Sequence, residues 1–115
     1  MAWLKIDDGM MEHEKIVDLR AEKQGDTAVC VHLSAMGWCA RAPRGTDRRD
    51  LGHIPDTMAR RLGATPKIAQ LLHDYGLWDR NGTGWLIHDW GDYQRVETST
   101  ERSRHHRTRS NTDAT

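Results

Sequence analysis

The residues of this chain best suited to chemistry are its histidines, cysteines and carboxylates, and their spacing argues against catalysis. Cys30, His32 and Cys39 come nearest to a zinc-ligand set. Cys30 and His32 are two apart in helical sequence and so point in different directions, and no metal site is expected. His13 stands beside Glu12 and Glu14, and His88 beside Asp89, so that each could be drawn as an acid/base pair. Adjacent residues on one element do not face each other, however, and the chain carries no nucleophile motif, phosphate loop or cofactor signature. We expect no catalytic residue, no cofactor and no enzyme activity.

The basic residues suggest a different chemistry, the recognition of phosphate and base edges. Net charge is +0, yet positive charge gathers in one region. Between positions 41 and 67, Arg41, Arg44, Arg48, Arg49, Arg60, Arg61 and Lys67 stand against only Asp47, Asp50 and Asp56. Clustered cations of this kind contact the phosphate backbone of duplex DNA and release its counterions. Gln70, one helical turn beyond Lys67, is of a type that reads adenine through two hydrogen bonds. The expected contacts to double-stranded DNA are Arg44, Arg48, Arg49, Arg60, Arg61, Lys67, Gln70, His73 and Arg80, with Arg102, Arg104, Arg107 and Arg109 added by a basic tail.

Positioning these groups requires particular elements. Leu51 to Ile54 is a short extended run, and Pro55 with Asp56 opens a helix whose Met58, Ala59 and Leu62 share one face and which Gly63 closes. Thr65 can cap the next helix and Pro66 can occupy its first position. There Ile68, Leu71, Leu72 and Tyr75 form the buried stripe, leaving Lys67, Gln70 and Asp74 in solvent and His73 near the edge. Gly76 ends that helix. Leu77 and Trp78 begin an extended segment, Asn81-Gly82 provides a tight hairpin turn, and Trp85 to His88 returns. Two short helices followed by a two-stranded ribbon is the order of a winged helix. The fold class expected is α+β, mainly helical with a small hairpin.

Upstream, a short helix is expected between Met11 and Leu19. A central helix should begin at Asp26 or Thr27, with Ala28, Val31, Ala35, Trp38 and Cys39 on its main stripe, and should end near Arg41. The polar run Thr46 to Asp50 reads as loop. Trp3, Trp38, Trp78, Trp85 and Trp90 are expected to fill the core, with Trp90 and Tyr93 packing back on Trp3 and Ile6. Beyond position 94 only Val96 and Ala114 are apolar, so residues 1–94 form one domain and residues 95–115 a disordered basic tail. Cys30 and Cys39 are too far apart on one helix for a disulfide and read as buried, reduced thiols. With no long apolar span and no cleavable leader, a soluble protein of the bacterial cytoplasm is expected, without membrane contact.

Several segments together resemble a known family. Ala2 to Gly9 with His13 and Lys15, Ala35 to Ala40, Gly52 to Pro55, Tyr75 to Trp78, and Trp85 to Gln94 are similar, in this order, to the N-terminal winged-helix domain of actinobacterial phage replication-initiator or replisome-organiser proteins. The resemblance implies a helix-turn-helix DNA-binding domain acting in the initiation of phage DNA replication or as a small regulator, with replication proteins as further partners. It leaves the oligomeric state open, a dimer included. The competing reading is a winged helix that binds protein instead of DNA, which would require an exposed apolar patch where the cations are expected.

Overall fold

The computed structural model describes Leu4, Ile6 and residues 8–91. Trp3, Tyr93, the 95–115 tail and its Arg102, Arg104, Arg107 and Arg109 lie outside the described residues.

A 3-10 turn at Met10–Glu12 leads to α1 (Glu14–Arg20), then α2 (Gly25–Ala40), α3 (Asp47–Asp50), β1 (His53–Pro55), α4 (Asp56–Arg61), α5 (Pro66–Asp74), β2 (Trp78–Asn81) and β3 (Gly84–Ile87). The three strands form one antiparallel sheet in the order β1-β3-β2. The domain is thus a small α+β fold, and no helix among the described residues is long and apolar enough to cross a membrane.

Local chemistry sets each boundary. The expected helix from Met11 splits at His13, whose backbone is extended and whose Nδ1 accepts from the Lys15 N–H at 3.2 Å, so α1 starts only at Glu14. Helix α2 begins at Gly25, before the expected caps. Asp26 is engaged by Arg20 at 2.7 Å, and the chain turns into the helix through Gln24 in a left-handed conformation. The run Thr46 to Asp50, expected as loop, contains α3. The Thr46 hydroxyl accepts from the Arg49 N–H, and Asp50 accepts from the Gly45 N–H, closing a short polar helix with its own side chains. Helix α5 forms as its sequence predicts, with Thr65 accepting from the Ile68 N–H and Pro66 in the first turn.

The sheet has one strand more than the hairpin. His53 to Pro55 pairs with Leu86 to Gly84, so the extended run expected before α4 becomes an edge strand and β3 the central one. The hairpin turn also sits one residue later than expected. Asn81 pairs with Gly84 and only Gly82 has positive φ, the pattern of a turn with glycine at its first central position.

Leu19, Cys39, Ile54, Leu72 and Trp78 lie at the centre of the core, all but completely buried. Helix α2 packs against α1, α5, α3 and β1, and its buried face is Ala28, Val29, Val31, His32, Ala35, Met36, Cys39 and Ala40. Trp78, Trp85 and Trp90 are buried as expected, but Trp38 is only partly so. Its ring carries the Arg48 guanidinium 3.8 Å above it, and its carbonyl accepts from Arg48 Nε at 2.7 Å. Cys30 is exposed, against expectation, and Cys39 is buried. Ile6 is 49% exposed and lines one cavity together with Trp90. The Trp90 indole N–H donates to the Arg49 carbonyl at 2.6 Å and its ring lies against Gly52, where a Cβ would stand 2.7 Å from the ring.

Candidate nucleic-acid interface

Helices α4 and α5 are joined by Leu62-Gly63-Ala64-Thr65, and the β2–β3 hairpin follows α5 directly. The buried residues Ala59, Ala64, Ile68, Ala69 and Leu72 hold the pair of helices to the core. Lys67, Gln70, His73 and Asp74 are thereby left on the outer side of α5, as the helical spacing predicts. Between α4, α5 and the hairpin runs an open groove of about 610 Å³, and Arg60, Gln70, His73 and Arg80 all line it. Sequence positions spread over three elements are brought to one surface.

The groups differ in how free they are. Arg80 forms a two-pronged pair with Asp56, Nη1 to Oδ1 at 2.6 Å and Nη2 to Oδ2 at 2.9 Å, and its guanidinium lies 4.7 Å from the centre of the Trp85 ring. The bond from Arg80 holds the Asp56 carboxyl below the usual carboxylate range. Arg80 therefore ties the hairpin to the start of α4 and has little charge left over. Gln70 Nε2 donates to Asp74 Oδ1 at 2.8 Å, one turn along the same helix. His73 Nδ1 lies 2.9 Å from the Trp78 carbonyl, and because a carbonyl only accepts, this nitrogen carries the proton and leaves Nε2 as the other ring position. Arg60, Arg61 and Lys67 are exposed and, among the described residues, form no ion pair.

The arginines of the preceding connection are placed differently. Arg44 is exposed on the loop before α3, whereas Arg48 and Arg49 are half-buried. Arg48 is spent on Trp38, and the Arg49 backbone anchors Trp90. The segment Arg44 to Arg49 is thus chiefly a brace between α2 and β1, and it is not among the residues that line the groove. The sequence reading also missed Asp56 as the partner that neutralises Arg80. No local signal marked it, since the two are joined only when the hairpin folds back over α4.

Among the described residues no cluster of His, Cys, Asp and Glu is arranged to hold a metal ion. His88 pairs with Asp79 at 2.8 Å and with Asp89 at 3.4 Å, all three exposed at the base of the hairpin. No protein-family model, curated protein or solved structure matches the chain.

Proposed function

We propose that this chain is a winged helix-turn-helix DNA-binding protein, with α4 and α5 as the helix-turn-helix and β2–β3 as the wing. A four-residue turn containing glycine between two short helices is the usual connection of that motif. The observation that carries the reading is the groove that gathers Arg60, Gln70, His73 and Arg80 beside an exposed Lys67. Helix α5 is the element that enters the major groove, and Arg60, Arg61 and Lys67 are the unspent cations that meet phosphate. Base readout by Gln70 requires its bond to Asp74 to open. An exposed i, i+4 pair of this type is worth about 0.2–0.5 kcal/mol. A two-bond contact to adenine is worth about 1–3 kcal/mol, so the exchange favours the base.

A protein-binding role for the same face is less well supported. Among the described residues the exposed large apolar ones are Ile6, Met11, Val17 and Leu51, and none belongs to α4, α5 or the hairpin. Following the resemblance to phage replication initiators, the process served is initiation of phage DNA replication or regulation of phage genes, with replication proteins as further partners.

Fluorescence polarisation with a random-sequence duplex, titrated with salt, tests the proposal. Arg60→Ala and Lys67→Ala should each lower the slope of log affinity against log salt by about 0.9, the value of one phosphate contact. Gln70→Ala should leave the slope unchanged and flatten base preference at one position in a binding-site selection. Absence of duplex binding at low salt refutes the reading, and equal effects of Gln70→Ala and Arg60→Ala on every sequence exclude readout by α5.

A further inference from the structure

A second concavity lies away from the groove, between α1, α2 and the far ends of α5 and β3. It encloses about 270 Å³, a little below the usual range of small-molecule pockets and enough for a single-ring molecule. Its walls are apolar, formed by Ile16, Met36, Ile87 and Trp90 among others. Five polar side chains interrupt them, His13, Lys15, His32, His88 and Asp89. His13 Nδ1 accepts the Lys15 backbone N–H and His88 lies against Asp79 and the Asp89 carboxylate, which leaves two to meet an anion. Lys15 stands at the edge, its ammonium only 3.5 Å from the Gly76 carbonyl, the sole hydrogen bond the group makes among the described residues.

The other is His32, which lines the cavity and is 5% exposed. Its Nδ1 accepts the indole N–H of Trp78 at 3.1 Å. Nδ1 therefore has no proton, and the neutral ring carries its hydrogen on Nε2. That N–H has no protein acceptor among the described residues, and no buried side-chain nitrogen or oxygen is sealed away without a partner. Nε2 therefore opens on the cavity. A donor that opens on a half-enclosed concavity with no protein acceptor among the described residues can be met by a ligand or by water, and mostly apolar walls with a few placed polar groups are the make-up of a ligand site.

We infer that this cavity binds a small, mostly apolar molecule carrying a carboxylate, which accepts from His32 Nε2–H while the Lys15 ammonium faces its charge. The ring of such a ligand lies among Ile16, Met36, Ile87 and Trp90. The inference stands apart from the DNA reading, because none of these residues lines the groove between α4, α5 and the hairpin.

Benzoate and its neutral analogue benzamide are the probes, titrated into the full chain and followed by methyl and imidazole NMR signals. Benzoate should give saturable shifts of the Ile16, Met36 and Ile87 methyls together with the His32 Nε2–H. Lys15→Met alters an exposed side chain and should leave the fold intact. It should weaken benzoate roughly tenfold, the scale of one charge-assisted hydrogen bond, and leave benzamide unchanged. No saturable shift at these methyls shows that the cavity holds only water and overturns the inference. Equal benzoate affinity in the wild type and Lys15→Met overturns the carboxylate assignment.

Discussion

Mild acidification should destabilise this protein through His32. Burial pushes its pKa down from an ordinary 6.5 to about 4, because the charged ring would lose its hydration inside the core. In the unfolded chain the ring titrates normally. Between pH 6.5 and 4 the unfolded state therefore binds more protons than the folded one, and stability rises with pH across that window. The contribution is complete above pH 6.5 and is lost as pH falls toward 4. Each unit is worth about 1.4 kcal/mol, so going from pH 7 to pH 5 should cost about 2 kcal/mol and the full shift about 3 kcal/mol. Urea unfolding at pH 7, 6 and 5 measures this directly. The control is His32→Gln, whose amide oxygen can still accept from Trp78 Nε1 but has no charge to gain. The remaining histidines are common to both proteins and cancel in the comparison. Asp56, held low by Arg80, loses its contribution only below the ordinary carboxylate pKa and so lies outside the window. If wild type and His32→Gln lose stability equally between pH 7 and pH 5, His32 is not buried as a neutral ring against Trp78.

The two cysteines should differ in reactivity. Exposed Cys30 should be alkylated by iodoacetamide in the native protein, whereas Cys39, buried and with its thiol pushed up to about 12, should react only on unfolding. Mass spectrometry of a single modified peptide would agree; equal labelling of both in native buffer would contradict the core. Trp78→Ala should destabilise by about 3–5 kcal/mol, since it empties a fully buried site and leaves the His32 Nδ1 without its donor. Trp38→Ala should cost less, because that ring is only partly buried and one of its neighbours is the Arg48 guanidinium. Chemical denaturation ranks the two, and a larger effect at Trp38 would place the centre of the core elsewhere.

The local elements were legible in the sequence because their signals are local. Thr65, Pro66 and the Ile68 to Leu72 spacing specify α5 through a side-chain cap, a fixed backbone angle and one apolar face. The outward placement of Lys67 and Gln70 follows from the same geometry. The spacing of Ala28, Ala35 and Cys39 likewise directs position 32 inward. What accommodates a histidine there is Trp78, 46 residues away, whose indole N–H donates to Nδ1. Pairings of this range carry no periodic signature. The same holds for Arg80 with Asp56, for Arg48 on Trp38, and for the His53 to Pro55 strand, which finds its partner only once the hairpin exists. The sequence alone therefore determined where the cations lie along the chain and which helix presents them. Tertiary structure decided which of them stay free, because a guanidinium is engaged by whatever carboxylate or ring the fold brings within a few ångströms, however far away it lies in the chain.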